Sequence, residues 1–100
     1  MSPGHEAFFY EIINRNKYSK NILKALNEKN YEKFLQYIHY VCNFKSLTYG
    51  DVVMFFHILI QKVPFEMEQT VQLVYASQIK QLRIENEEKN NISNKRRRYE

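Results

Sequence analysis

Residues 47–64 read Leu47-Thr48-Tyr49-Gly50-Asp51-Val52-Val53-Met54-Phe55-Phe56-His57-Ile58-Leu59-Ile60-Gln61-Lys62-Val63-Pro64, and this stretch decides the fold class. Thr48 stands three residues before Asp51, the spacing of a capping box: the hydroxyl accepts from the amide three residues on, and the acid reaches back. Leu47 before the cap and Val52 at the fourth helical position have the spacing of a hydrophobic staple. From Tyr49 to Lys62 the apolar residues Val52, Val53, Phe55, Phe56, Leu59 and Ile60, with Met54 and Ile58 beside them, cover most sides. The spacing predicts a helix, and one apolar nearly all round belongs at the centre of a bundle. Pro64 stops it, because proline has no amide donor and biases Val63 away from helical angles.

Upstream, Tyr31, Phe34, Leu35, Ile38, Val41 and Cys42 recur at helical spacing, which predicts a helix from Tyr31 to Phe44 with Asn43 and Lys45-Ser46 as its exit. Before it, Asn27-Glu28-Lys29-Asn30 reads as a connection in which Asn30 caps the Tyr31 helix; the alternative is one long helix running through. Ile22, Leu23 and Leu26 mark a helix over Ser19–Glu28, and Phe8, Phe9, Ile12 and Ile13 one over Glu6–Asn14. Downstream, Val71, Val74, Tyr75, Ile79 and Leu82 line one side of a helix over Glu66–Glu88. Past Ile84 the apolar face disappears. With no Asn-Gly hairpin and no long apolar/polar alternation, the expectation is all-α: a compact bundle of about five helices over residues 1–88, then a disordered, flexible basic tail over 89–100.

At 100 residues, 44% hydrophobic, 15% aromatic and with 2 Gly and 2 Pro, the chain is one domain with ample core material. The same figures exclude collagen and Pro/Gly-rich low complexity. The longest apolar run, Val52 to Phe56, is far below the roughly 20 residues that cross a bilayer, so no membrane association is expected. The opening Met1-Ser2-Pro3-Gly4-His5-Glu6 lacks a basic flank and apolar segment, and the single cysteine, Cys42, has no internal disulfide partner. Both point to an intracellular, reducing compartment. Net charge is +4, but the last six residues hold four cations and one anion, which leaves residues 1–94 with 11 cations against 10 anions. A nearly neutral body therefore carries a basic run, Lys95-Arg96-Arg97-Arg98.

Catalytic and metal-binding patterns are sparse. His39 and Cys42 are three apart on the expected helix, and His57 could approach from the next, yet three ligands without a fourth fall short of a tetrahedral site. Cys42 points toward the core, where a thiol is inert. Asp51 and His57 are six apart and share no helix face, Glu66/Glu68 and Glu87/Glu88 fall in solvated positions, and Gly4 and Gly50 cannot build a phosphate loop. The expectation is a protein with no enzymatic activity and no cofactor.

Recognition is the remaining possibility. Of eight tyrosines, Tyr10, Tyr37 and Tyr40 lie off the main apolar stripes, and aromatic anchors are enriched at interfaces. With His39 they are candidate contacts for another protein, the alternative being that each covers a corner of the core with its hydroxyl in water. Lys95, Arg96, Arg97 and Arg98 suit a nuclear-import receptor or nucleic-acid phosphates, with Ser93 a phosphorylation site able to offset them. Exposed aromatics packing on a second copy, as a homo-oligomer, is a third option.

Two resemblances attach to these segments. Phe34-Leu35-Gln36-Tyr37-Ile38, the run from Leu47-Thr48 through Val52 to Ile60, and Thr70-Val71-Gln72-Leu73-Val74-Tyr75-Ala76-Ser77 together resemble the first three helices of a cyclin box over residues 31–82. The resemblance implies a helical regulatory framework, without the family's kinase-contacting lysine and glutamate pair. Lys45-Ser46-Leu47-Thr48-Tyr49-Gly50-Asp51-Val52-Val53 is also similar to the loop and last helix of a histone fold, which implies a chromatin-associated role.

Overall fold

In the computed structural model, Asp51 N–H donates to Thr48 Oγ1 at 3.1 Å and Thr48 N–H to Asp51 Oδ2 at 3.3 Å, so the capping box is formed in both directions. The structure describes residues 4–44 and 46–84. Its elements are α1 (Pro3–Asn14), α2 (Ser19–Asn27), α3 (Tyr31–Tyr40), α4 (Tyr49–Ile60), a 3₁₀ turn at Phe65–Met67, and α5 (Glu68–Arg98), whose bounds extend beyond the described residues. The expected tail over 89–100 lies outside them. Five helices, with no strand among the described residues, make the protein an all-α bundle.

Between α2 and α3 the chain breaks, which excludes a single long helix. Lys29 adopts a φ of 60°, Asn30 N–H donates to Ala25 O at 2.9 Å, and Lys29 N–H donates to Leu26 O at 3.1 Å. These two bonds form a Schellman motif, which a glycine at the left-handed position would ordinarily end. Asn30 then caps α3, its side chain accepting from Lys33 N–H at 3.4 Å. One residue thus closes one helix and opens the next, and α2 folds back on α3.

The third helix stops at Tyr40, short of the expected Phe44, and the cause lies in the turn after α1. Asn16, buried at 8% exposure, accepts from Asn43 N–H at 2.6 Å and donates from Nδ2 to Ile12 O at 2.9 Å and to Cys42 Sγ at 3.3 Å. Holding the Asn43 amide away from a helical partner ends α3 and turns Cys42 and Phe44 into the core.

Contacts pass around a ring in which α1 packs on α2, α2 on α3, α3 on α5, α5 on α4, and α4 on α1. The central place expected for α4 is taken instead by one of its side chains. Phe55 is fully buried, stacks on Phe9 at 5.0 Å and meets Phe44 at 5.3 Å and Phe56 at 5.5 Å, edge-on in both cases. In a ring each helix keeps an outer face, so Val53, Met54 and His57 are exposed. Leaving α4, the chain passes Pro64 in an extended conformation and enters the 3₁₀ turn, with Met67 N–H donating to Pro64 O at 2.9 Å. Among the described residues no helix is long and apolar enough to cross a membrane.

Candidate interaction groove between α3 and α5

Where α3 runs beside the start of α5, the two helices leave a groove of about 480 Å³. Leu35, Met67 and Val74 supply its apolar walls, Glu32 and Glu66 stand at its mouth, and His39 and Tyr40 close one end. Helix spacing explains the α3 contribution: Leu35 and His39 are one turn apart, and Glu32 precedes Leu35 by three residues. Gln78 fixes the distance between the helices. Buried at 6% exposure, its Nε2 donates to His39 O at 3.0 Å, satisfying a carbonyl of the last turn of α3 that has no intrahelical partner.

His39 and Tyr40 differ in kind. The His39 ring meets Tyr40 edge-on at 4.2 Å, and its Nδ1 is buried with no hydrogen-bond partner among the described residues. Native proteins rarely leave a buried polar atom in that state, since it forfeits hydration without replacement. Tyr40 is 77% exposed, far more than covering a corner of the core requires. Tyr37 is half-buried against the core and shares with Tyr40, Lys33, Gln36 and Val41 a second, shallower cleft on the other side of α3.

Tyr10 sits elsewhere. It is half-buried on α1, edge-on to Phe9 at 5.2 Å, and Lys62 Nζ lies 5.1 Å from its ring centre. The same ammonium donates to both Glu6 carboxylate oxygens, at 2.9 and 2.8 Å, which ties the end of α4 to α1. The four candidate contacts are therefore split. His39, Tyr40 and Tyr37 are collected on α3, whereas Tyr10 belongs to a structural seam. Lys95, Arg96, Arg97 and Arg98 lie outside the described residues.

The three possible metal ligands are also separated. Cys42 lies past the end of α3 with its thiol against Asn16, and His57 is exposed on α4, 3.5 Å from Gln61 Nε2. Among the described residues no three His, Cys, Asp or Glu side chains converge. Burial pushes the Cys42 thiol up from 9.0 to about 12, against a smaller downward pull from Asn16, so it is a poor nucleophile near neutrality.

Sequence reasoning missed Asn16 and Gln78. Only Gln78 had a signal, since it follows Val71 by seven and precedes Leu82 by four, on the inward face. No protein-family model, no curated protein and no solved structure matches this chain, so the groove's geometry and chemistry carry its functional reading.

Proposed function

We propose that this is a non-enzymatic regulatory or adaptor protein that binds another protein through the α3–α5 groove. The observation that carries the reading is the pairing of a groove of mixed apolar and polar lining with an aromatic ring, Tyr40, standing 77% exposed at its end. Tyrosine is a frequent hot-spot residue because it brings large area and one polar tip at little entropic cost. The resemblance of residues 31–82 to cyclin-box helices is in keeping with a binding role and names no contact residue.

The test is affinity capture of the intact chain against its Tyr40→Ala variant, a change at a position too exposed to disturb the core. A stoichiometric protein partner held by the wild type and bound at least about tenfold more weakly by Tyr40→Ala is the expected result. Recovery of no such partner, or of one held equally by both, overturns the reading.

A second reading rests on charge placement. Lys95–Arg98 is a concentrated cationic run on an otherwise nearly neutral chain, suited to nuclear import or to nucleic-acid phosphates. Neutralising about four phosphates gives a logarithmic salt slope near −4 on duplex DNA, lost when the chain is ended at Asn94. Absence of binding to duplex DNA and single-stranded RNA at low salt removes the nucleic-acid branch.

A further inference from the structure

α5 also carries an apolar line that the bundle does not use. Leu73 is 72% exposed and Ile84 43%, and Gln69, Ala76 and Lys80 are exposed between and before them. At about 100° per residue, Gln69, Leu73, Ala76, Lys80 and Ile84 form one row opposite the buried Val71, Val74, Ile79 and Leu82. Phe65, 84% exposed, extends the row at its N-terminal end, beside a shallow cleft of about 380 Å³ bounded by Glu68, Gln69 and Gln72. Single exposed apolar residues need no explanation, but two on one line of α5, with a third on the 3₁₀ turn that leads into it and charge at both ends, are a different matter.

The charges have an order. Glu66 and Glu68 lie at one end of the row and Lys80 and Arg83 toward the other. None of the four has an ion-pair partner among the described residues, where the salt bridges are Arg15–Glu11 and Lys62–Glu6. Over the described residues this face is acidic at its start and basic further on, and such a face complements itself when reversed. Laid antiparallel about a two-fold axis between Val74 and Tyr75, the row sets Leu73 against Ala76, Gln69 against Lys80, and Phe65 against Ile84. Glu66 then meets Arg83, whereas a parallel arrangement sets acid on acid and base on base.

We propose that the outer face of α5 is the interface of an antiparallel homodimer. It is isologous, so every contact occurs twice and the assembly closes at two copies. The cleft beside Phe65 receives the other copy's Ile84, and the Glu66–Arg83 pairs fix register and direction.

Sedimentation of the full chain over a wide concentration range tests it. The wild type is expected to pass from monomer to dimer with concentration. Leu73→Asp raises the dissociation constant more than about tenfold, with the thermal melt of the dilute monomer unchanged because the position is exposed. Glu66→Arg and Arg83→Glu each weaken the dimer alone. An equimolar mixture of the two recovers it, as does the double variant in one chain, since both restore opposite charges at every pair. A wild type that stays monomeric throughout, a dimer indifferent to Leu73→Asp, or a mixture that recovers nothing would overturn the proposal.

Discussion

Replacing Asn16 tests how the bundle is joined. Its side chain makes four bonds, accepting from Asn43 N–H at 2.6 Å and donating to Ile12 O at 2.9 Å, to Cys42 Sγ at 3.3 Å and to Ile13 O at 3.4 Å. The first is short and links two loops 27 residues apart in the sequence, the second closes α1 on itself, and the last two, to sulfur and to a carbonyl at 3.4 Å, are the weak ones. At about 1 kcal/mol for each good bond, plus the desolvation left on the abandoned groups, Asn16→Ala is expected to cost about 2–4 kcal/mol. For a domain of this size that is a fall in Tm of about 10–20 °C. Urea and thermal unfolding followed by circular dichroism give the number. Asn16→Leu separates polarity from volume, because it fills the site and makes none of the bonds. Asn21→Ala, at an exposed position on α2, serves as the control and stays within about 0.5 kcal/mol of wild type. Loosening residues 41–44 also admits a thiol reagent, so native-state labelling of Cys42 accelerates in Asn16→Ala. An Asn16→Leu protein as stable as the wild type, or unchanged Cys42 labelling, would refute the argument.

Two other outcomes rest on single residues. Lys29→Gly relieves a non-glycine residue held at a φ of 60° but frees the unfolded chain, for a net gain of about 0.5–1 kcal/mol in chemical denaturation, and a loss instead would show that Lys29 makes a compensating contact. The unfolded Cys42 thiol ionises from about pH 9 and the folded one only near 12. Above pH 9 the unfolded state therefore binds fewer protons, and the wild type loses stability relative to Cys42→Ala by about 1 kcal/mol per pH unit, with a flat difference below pH 9.

The sequence made legible what is local. Thr48 and Asp51 are three apart, so their reciprocal capping needs no knowledge of the rest of the chain, and α4 begins where the pattern places it. Asn30 likewise shows its capping role, but the left-handed turn before it does not show, because lysine occupies a position that glycine would have advertised. The early end of α3 was hidden for a different reason. It is imposed by Asn16, which sits in the polar string Asn14-Arg15-Asn16-Lys17 with nothing to distinguish it from its neighbours. The same logic separates the candidate contacts. Tyr40 and His39 were identifiable from their own helix, whereas the fate of Tyr10 depends on Lys62, which reaches it only after α1 and α4 pack. Which side of an all-apolar helix faces out was likewise undecidable from periodicity, and ring packing placed Val53 and Met54 there.

The two surfaces of α5 meet at one residue, and this has a thermodynamic consequence. Glu66 stands at the mouth of the α3–α5 groove and also borders the cleft beside Phe65. A partner that draws on its carboxylate takes it from Arg83 of a second copy, and a second copy takes it from the partner. Linkage requires the two effects to be equal: the factor by which the partner weakens dimerisation is the factor by which dimerisation weakens partner binding. Leu73 touches the second surface alone, so Leu73→Asp removes the competitor without altering the groove. Partner affinity measured on that monomer should therefore exceed the affinity measured on concentrated wild type. Glu66→Gln should abolish the difference, because a neutral amide is contested by neither side's charge. Equal affinities for the Leu73→Asp monomer and the wild-type dimer would mean that the two surfaces, though adjacent, are energetically independent.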